Sequence, residues 1–481
     1  MQGEYKPTIG LEIHAELKTR TKMFCDSKND PDETHPNVNV CPVCLAHPGT
    51  LPVINGEAVR LVLKVGIALG STLADYTEFD RKNYFYPDLP KGYQLSQYEY
   101  PLVSGGTLGG VEITRVHLEE DTASSIHDED SGATAIDYNR SGVPLMELVT
   151  EPVITSAEQA GNFARELQLL LRTLGASNAN MEKGEMRVEA NVSVALPGEL
   201  GTKVEIKNLN SFNAMERAVR YEIDRQKKVL ARGEKVVQQT LGWDENKQAT
   251  FPQRVKEGSA DYRYFPDPDL PSLKLSEVES CSPDELKKGM PELPAERRTR
   301  YLSLGIKPDD VEVFLQQPLL GRLFEEAVTH FGEGDPGVKL AANYIVNDLV
   351  NLFRDTENRD TQINAEIPIS SRHFNTIVAL ARDGKISSRT AKDMLASYAK
   401  GEKEDPESYV KTRELLQEDA SPKLKEAVVR VLEQNPTVIA DFKAGKSAAI
   451  EYLFGQCMKE LRGAADPVAL RALLQEQLSQ A

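Results

Sequence analysis

The chain has 481 residues, of which 40% are hydrophobic and 27% are charged, and its formal net charge is −17 at pH 7. This length predicts two to four domains with hydrophobic cores, and the negative charge excludes a protein that binds nucleic acid through an overall positive charge. The charge is uneven, because residues 371–481 hold 17 Lys and Arg against 16 Asp and Glu and the body before them holds the remaining −18.

The first predicted element is a strand over residues 10–17. Its apolar and polar residues alternate strictly, so Glu12, His14 and Glu16 share one face at intervals of about 7 Å. Three side chains of metal-binding type on one face suit a divalent cation better than a hydrophobic core. The strand is therefore predicted to carry part of a metal site.

Three of the five cysteines follow this strand, at Cys25, Cys41 and Cys44. An odd total in a long chain predicts reduced thiols rather than a disulfide framework. Zinc normally takes four ligands, and only His35 and His47 are close in sequence for the fourth place. Reduced structural cysteines are therefore favoured over bound zinc.

The N-terminus has no charged and apolar leader, and no apolar run approaches the length of a membrane span. A cytoplasmic chain with no membrane partner is expected.

Short alternating strands and turns come next. Residues 104–110 (SGGTLGG) predict a hairpin connection. Residues 111–118 predict a strand, which runs into three adjacent acids, Glu119, Glu120 and Asp121. These acids belong either to a solvated strand end or to a site.

Residues 137–152 place charged side chains around a Gly/Pro turn. Arg140 precedes the turn, and Glu147 lies between Met146 and Leu148 in an apolar run. A carboxylate that faces inward needs a partner, so a metal ion or an arginine is expected beside Glu147.

Two helices are predicted in this part of the chain. Ser156 with Gln159 has the spacing of a capping box, and the helix runs to about residue 174. The second helix covers residues 213–232.

Two strands between these helices carry further charges. Arg187, Glu189 and Asn191 share a face on one strand, and Lys203 and Lys207 share a face on the next. The latter strand leads into the N-terminus of the helix over residues 213–232, where free N–H groups favour a phosphate. Carboxylates, cations and a helix N-terminus together are typical of phosphoryl transfer.

Two segments interleave aromatic and basic residues. One covers residues 80–88 (DRKNYFYPD) and the other residues 261–269 (DYRYFPDPD). Such segments can stack unpaired bases and contact phosphates. A single one would favour a buried aromatic loop, but two near-copies favour a nucleic-acid contact.

The composition changes near residues 291–294, after which helix-type spacing dominates. The fold class is predicted as α+β: a cradle around an antiparallel sheet (1–293), an all-helical domain (294–405) and a small helical tail domain (406–481). The polar stretch 400–408 is predicted to be a solvated linker. The predicted helices after the change cover residues 296–304, 308–316, 319–330, 338–353, 371–382 and 388–398.

Several long segments closely resemble one family, the B subunits of the bacterial glutamyl/aspartyl-tRNA amidotransferase. They are GLEIHAELKTRTKMF (10–24), FDRKNYFYPDLPKGYQLSQY (79–98), HLEED (117–121), DYNRSGVPLMELVTEP (137–152), EIKNLNSF (205–212), DYRYFPDPDLP (261–271) and DFKAGKSAAIEYLFGQCMK (441–459).

The resemblance implies a ligase that works in a heterotrimer, together with a glutaminase (the A subunit) and a small bracing protein (the C subunit). The family's B subunits bind mischarged Glu-tRNA(Gln) or Asp-tRNA(Asn) and use ATP and Mg²⁺ to phosphorylate the side-chain carboxylate of the attached amino acid. Ammonia from the glutaminase then displaces phosphate. A non-discriminating aminoacyl-tRNA synthetase is a further expected partner.

The resemblance also implies roles for residues at matching positions. The metal-centred catalytic set comprises Glu12, His14, Glu120 and Glu147, with His14, Glu120 and Glu147 as direct Mg²⁺ ligands and Arg140 as a further catalytic residue. Contacts to the nucleotide are expected from Arg187, Lys203, Lys207 and Asn208. Contacts to tRNA are expected from Lys82, Tyr84, Tyr86, Tyr262, Arg263, Lys443 and Lys446.

One position departs from the family pattern. Ser27 stands near Cys25 where some relatives have a second cysteine. The zinc site of those relatives is therefore doubtful for Cys25, Cys41 and Cys44.

Two alternatives stay open. The first is a tRNA-binding scaffold whose partners hold the catalytic site. The second is a free-standing ATP-dependent carboxylate–amine ligase for a small molecule. The acidic cluster favours catalysis, because a scaffold has no reason to gather these side chains.

Overall fold

The structure is a computed structural model that describes residues 4–127, 132–255, 261–350, 369–416, 421–443, 448–461 and 467–480. The chain divides into two compact units, Met1–Arg300 and Tyr301–Ala481. The first unit contains a large sheet and the second is helical, which confirms the predicted α+β class. The division into three domains at residues 293 and 405 stays a prediction.

A ten-stranded sheet forms the base of the first unit. The described strands are, in chain order, β1 (Lys6–Glu16), β2 (Thr72–Leu73), β3 (Tyr76–Thr77), β4 (Asp80–Asn83), β5 (Tyr93–Ser96), β6 (Val103–Ser104), β7 (Thr107–Leu108), β8 (Val111–Glu120), β9 (Ser124–His127), β10 (Thr134–Asp137), β11 (Pro144–Thr150), β12 (Met186–Ala195), β13 (Val204–Leu209), β14 (Gln239–Asp244), β15 (Ala249–Val255), β16 (Phe265–Pro266) and β17 (Leu273–Lys274).

The order in this sheet is β15-β14-β13-β12-β1-β11-β8-β6-β2, and β7 also pairs with β8. Its pairs are antiparallel, as predicted, except that β13 and β14 are parallel. Three smaller sheets pair β9 with β10, β3 with β17, and β4 with β5 and β16. The strand β1 therefore lies at the centre, with four strands on one side of it.

The two faces of β1 differ because its residues alternate. Ile9, Leu11, Ile13 and Ala15 are buried in one core with residues of three helices, α1 (Gly56–Ala68), α2 (Ala157–Thr173) and α3 (Phe212–Ala231). Helices thus cover the apolar face, and the opposite face of the central strands is left for polar side chains.

The predicted helix starts in this unit are confirmed. Ser156 accepts a hydrogen bond from the Gln159 N–H, and the Gln159 side chain accepts one from the N–H of Thr155 rather than of Ser156. Ser211 caps α3 in the same way through the Ala214 N–H. The hairpin predicted over residues 104–110 is also present, because β6, β7 and β8 pair there.

Further helices follow residue 282. They are α4 (Pro283–Lys288), α5 (Pro294–Ser303), α6 (Pro308–Gln316), α7 (Pro318–Phe331), α8 (Pro336–Tyr344), α9 (Ser371–Arg382), α10 (Ser388–Ala399), α11 (Pro406–Thr412), α12 (Ser421–Gln434), α13 (Pro436–Lys443), α14 (Ala448–Glu460) and α15 (Pro467–Gln480). Short 3-10 turns cover Leu275–Glu277 and Glu279–Cys281, and a π-helical turn, Ile345–Leu349, continues α8.

The helices predicted after residue 294 are present in the described residues, with one correction. The stretch 400–408, predicted as a linker, contains the start of α11, because Asp405 caps that helix and Pro406 occupies its first position. The end of the helix predicted over residues 338–353 lies outside the described residues. Helices α12 to α15 share a core of their own that includes Val428, Leu453 and Leu470. Within the described ranges, no helix is both long and apolar enough to cross a membrane.

Candidate active site

A row of polar side chains crosses the middle of the sheet. The register places His14 of β1 opposite Arg187 of β12 on one side and opposite Glu147 of β11 on the other. Glu147 in turn lies opposite His117 of β8. Directly opposite residues point to the same face with Cβ atoms roughly 5 Å apart, so four strands bring these side chains together.

Glu147 is the centre of this row. Its Oε2 lies 3.4 Å from the Nε2 of His14 and 3.4 Å from the Nε2 of His117, and its Oε1 lies 3.8 Å from Nη2 of Arg115. Burial of this carboxylate, whose side chain is 6% exposed, favours a raised pKa. The charges and hydrogen bonds of His117 and His14 outweigh burial and hold the pKa well below its ordinary value.

Two overlapping groups of metal-ligand atoms meet at Glu147. One comprises Glu12, His14 and Glu147, and the other comprises His117, Glu119 and Glu147; within each, the ligand atoms lie within 4.8 Å of one another. Two carboxylates with one imidazole fit a divalent cation, since carboxylate oxygens suit Mg²⁺ and imidazole also suits transition metals.

The charges of this face shift the pKa values of the other members. Burial lowers the pKa of His14, but the hydrogen bond and charge of Glu147 raise it overall to about 9. Burial, with the charges of Glu147 and Glu189, raises the pKa of Glu12 to about 7. A cation here would compete with protons for the ligand atoms.

Glu120 does not join His14 and Glu147. Its Oε2 accepts a hydrogen bond from Lys91 Nζ at 2.5 Å, and its Oε1 accepts one from the Leu95 N–H at 2.9 Å. Successive residues of a strand point to opposite faces, so Glu119 rather than Glu120 shares the face of Glu147. Glu120 instead lines a cavity of about 230 Å³, together with Lys91, Cys25 and Cys44.

Glu119 connects the polar row to Lys82. Its Oε1 accepts a hydrogen bond from the Ser96 hydroxyl at 2.7 Å and lies 3.9 Å from Lys82 Nζ, while Oε2 accepts one from Gln94 at 3.0 Å. Burial favours a raised pKa of Glu119, but the charge of Lys82 lowers it overall. Glu119 is thus an anion held by fixed donors.

Arg140 and Arg187 both contact the buried carboxylate of Asp121. Arg140 Nε donates to Oδ2 at 2.7 Å, and Arg187 Nη2 lies 3.1 Å from both oxygens. Arg140 Nε also lies 3.2 Å from Glu16 Oε1. Burial, with the charge of Asp121, raises the pKa of Glu16 to about 8.

The other residues expected to contact nucleotide lie on and next to β13. Lys207 Nζ contacts Glu189 Oε2 at 2.5 Å and Glu205 Oε1 at 3.4 Å. Lys203 is exposed just before the strand. Asn208 is exposed and has a left-handed backbone with φ of 61°.

The three tyrosines expected to contact tRNA, Tyr84, Tyr86 and Tyr262, belong to a row that also contains Tyr264 and Tyr98, which were not predicted. Its successive ring centroids are 4.4–6.1 Å apart, and Lys82 Nζ lies 5.3 Å from the centroid of Tyr262. Arg263, next to the row, is exposed and contacts Asp261. In order of contact the row consists of Tyr86, Tyr84, Tyr262, Tyr264 and Tyr98.

In the second unit, Lys443 is the last residue of α13, and Lys446 lies outside the described residues.

The Sγ atoms of Cys25, Cys41 and Cys44 lie within 4.8 Å of one another. A structural zinc ion wants a fourth ligand, and the nearest oxygen the structure gives Cys44 Sγ from another side chain is the Ser27 hydroxyl, at 3.8 Å. The side chain of Lys22, which is fully buried, lies with Nζ 3.7 Å from Cys44 Sγ. The cluster thus offers three of the four ligands that a structural zinc ion takes, and it carries no role in the mechanism below.

Sequence reasoning assigned no role to four side chains that complete the site, although it placed Glu119 and Asp121 either at a solvated strand end or in a site. The four are Arg115, His117, Glu119 and Asp121. The alternation of β8 was a usable signal, because it places Arg115, His117 and Glu119 on one face.

Comparison with known proteins gives consistent matches along the chain. A sequence model described as the GatB/GatE catalytic domain matches residues 7–280, and one described as the GatB domain matches residues 322–478. Three curated relatives are named as B subunits of an amidotransferase.

The first, from Thermus thermophilus, is the B subunit of an aspartyl/glutamyl-tRNA(Asn/Gln) amidotransferase and is 44% identical over 98% of this chain and 99% of its own. The protein of the same name from Thermomicrobium roseum is 43% identical over 99% of each chain. The chloroplastic/mitochondrial B subunit of the Sorghum bicolor glutamyl-tRNA(Gln) amidotransferase is 40% identical over 99% of this chain and 87% of its own. With these matches over nearly its full length and a polar sheet face suited to a cation, the chain belongs to the GatB/GatE family of amidotransferase B subunits.

Proposed function

We propose that this chain is the B subunit of a tRNA-dependent amidotransferase. It binds Glu-tRNA(Gln), Asp-tRNA(Asn) or both, activates the side-chain carboxylate of the attached amino acid with ATP, and supports its amidation by glutamine-derived ammonia. The observation that carries the proposal is the group formed by Glu12, His14 and Glu147 on the central strands. The names of the bacterial relatives, which mention both tRNAs, support the two substrates.

In this proposal Glu12, His14 and Glu147 hold Mg²⁺. The ion, when bound, neutralises phosphate charge and so favours transfer of a phosphoryl group to the carboxylate. His117 orients Glu147 from the other side, as the contact at 3.4 Å suggests. Glu120 stays a proposed ligand that would first have to leave Lys91.

The cations around this group are proposed to bind the phosphates. Arg187 lies opposite His14 and shares the Asp121 carboxylate with Arg140. Lys207 contacts Glu189 on the neighbouring strand, while Lys203 precedes β13 and Asn208 lies near its end. Their positive charge and donors compensate the negative charge that develops on the phosphoryl oxygens. Phosphorylation turns the poor leaving group of a carboxylate into a good one, and ammonia then displaces phosphate.

The tyrosine row is proposed to hold the acceptor end of the tRNA. Aromatic rings stack unpaired bases, and a cation beside them contacts phosphate. Lys82 contacts both Tyr262 and Glu119, so it links the row to the polar face. Tyr84, Tyr86 and Arg263 act with it, and Lys443 and Lys446 are proposed to contact the tRNA body.

The proposed partners are the glutaminase (the A subunit), the small C subunit of the same complex, and a non-discriminating aminoacyl-tRNA synthetase. The proposed location is the cytoplasm, in keeping with the bacterial relatives.

The decisive experiment is amide formation by the reconstituted complex on each mischarged tRNA, with and without ATP. We expect ATP-dependent Gln-tRNA or Asn-tRNA, and its loss with Glu147→Gln. Normal activity of that variant would favour the non-catalytic scaffold. Turnover of ATP by the purified chain with a free amino acid and no tRNA would favour the free-standing ligase.

A further inference from the structure

Asp121 joins two arginine side chains at one edge of the polar sheet face. It follows β8 and its side chain is 4% exposed. Its oxygens accept hydrogen bonds from Arg140 Nε, from Arg187 Nη2 and from the Thr122 N–H. One buried carboxylate therefore fixes the orientation of both guanidinium groups.

Both guanidinium groups keep unused donors. Arg140 uses Nε for Asp121 and Glu16, and Arg187 uses Nη2 for Asp121. Among the residues that the structure describes, no partner is found for the other guanidinium nitrogens. The two side chains are 30% and 34% exposed, so these N–H groups are open to a ligand.

The position of this pair relates it to the metal group. Arg187 lies directly opposite His14 in the register, which puts their Cβ atoms roughly 5 Å apart on one face. Guanidinium forks bind phosphate and carboxylate oxygens through paired N–H donors. The two guanidinium groups have more free N–H donors than the roughly four lone-pair positions of one carboxylate can accept. A tetrahedral phosphate has more acceptor oxygens, so it is the favoured ligand.

We infer that Arg140 and Arg187, held by Asp121, form one receptor for a single phosphate group, with Asp121 as its positioning residue. The inference deepens the proposed function and rests on it for the source of the phosphate, the terminal group of ATP. A carboxylate such as free glutamate is the competing ligand. Because Asp121 touches both arginines, loss of its charge should disable them together.

The test is calorimetric titration of the full chain with inorganic pyrophosphate in EDTA, which keeps metal out of the measurement. Asp121→Asn, Arg140→Lys and Arg187→Lys should each weaken binding by about tenfold or more. The double variant Asp121→Asn/Arg187→Lys should bind pyrophosphate no more weakly than whichever of its two single variants has the lower affinity, because substitutions in residues that act as a unit do not have additive effects.

The matched control is Glu222→Gln. Glu222 is also a buried carboxylate that accepts two hydrogen bonds from an arginine, Arg225, but it belongs to α3 on the apolar side of the sheet. The pyrophosphate affinity of this variant should equal that of the wild type. Thermal unfolding identifies any variant that fails to fold, and the two Arg→Lys variants keep the test decisive if Asp121→Asn is one of them.

Three results would contradict the receptor. The first is wild-type pyrophosphate affinity in the folded Asp121→Asn variant, and the second is additive loss of affinity in the double variant. The third is glutamate binding as tight as pyrophosphate binding. In the amidation assay, Asp121→Asn should raise the KM for ATP more than it lowers kcat. A normal KM for ATP in this variant rejects the receptor and leaves the proposed function standing. The opposite result is also possible to recognise. If pyrophosphate binding depends on the two arginines but the complex amidates no tRNA, the receptor stands and the proposed function is rejected.

Discussion

Glu147 has an unusual set of neighbours for a single carboxylate. Two imidazoles and one guanidinium lie within 3.8 Å of its oxygens. A buried anion with several cationic partners stays ionised, and ionised carboxylates are what a divalent cation requires. Glu147 also belongs to both candidate groups of metal ligands, so its charge should matter more than that of any single neighbour.

Glu147→Gln removes this charge at nearly constant size. We expect affinity for Mg²⁺ to fall by more than about tenfold, because one of the anionic ligands of the cation becomes neutral. Titration calorimetry with Mg²⁺ measures the effect. The control is Glu151→Gln, since Glu151 follows the same strand but accepts a hydrogen bond from the Thr114 hydroxyl. Equal Mg²⁺ affinity in Glu147→Gln and wild type would contradict the assignment.

His117 separates two buried carboxylates. Its Nε2 lies 3.5 Å from Glu119 and 3.4 Å from Glu147. In His117→Gln these two anions face each other without the imidazole, so we expect the free energy of unfolding to fall by about 3 kcal/mol. Urea unfolding checks this value.

His127→Gln serves as the control for that substitution. His127 is exposed on β9, and exposed changes usually stay within about 0.5 kcal/mol. Similar stabilities of the two variants would show that His117 does not compensate the charges beside it.

The sequence could predict which residues share a face, but not which strands lie side by side. Alternation alone assigned Glu12 and His14 to one face of β1. The pairing of His14 with Glu147 and Arg187 depends on a register between distant segments, and no local pattern contains it. The apolar run around Glu147 indicated a buried carboxylate, and the resemblance gave it a role as a metal ligand. The resemblance also named Glu120, which alternation places on the face of β8 opposite to that of His117 and Glu119.

At the scale of elements, a capping residue made the start of α2 predictable, whereas α3 was predicted without its cap. Ser156 and Ser211 mark the starts of α2 and α3, and their side-chain oxygens satisfy N–H groups of the first turn. The start of α11 was missed because its cap, Asp405, lies in a charged stretch that resembles a linker. The charged composition of residues 400–408 therefore led to a linker prediction, although Asp405 is a residue type that commonly caps helices.

Ser156→Ala tests the cap of α2. We expect a loss of about 1 kcal/mol in the free energy of unfolding, because the Gln159 N–H loses its acceptor. Chemical denaturation of the first unit measures it. Ser156→Asp retains an acceptor and should leave stability close to that of the wild type; equal losses in both variants would mean that the hydroxyl contributes by packing rather than by capping.

At the scale of the whole molecule, chemistry and tRNA-body contacts are proposed to belong to different units. The proposed metal ligands and the large core around β1 come from the first unit. Residues 371–481, which include the predicted tail domain, have 17 Lys and Arg against 16 Asp and Glu, whereas the remainder of the chain is strongly acidic. A near-neutral tail can approach a polyanion that the acidic body repels.

A chain truncated after Arg300 tests this division. The buried residues of the core around β1 all precede that point, so we expect cooperative unfolding and the Mg²⁺ affinity of the full chain. Affinity for tRNA should fall, and the difference from the full chain should shrink as salt increases, because phosphate contacts are salt-dependent. Fluorescence anisotropy with labelled tRNA at several salt concentrations measures both effects. Full tRNA affinity in the truncated chain would assign the binding to the first unit alone, whereas loss of Mg²⁺ binding in a folded truncated chain would mean that the second unit contributes to the metal site.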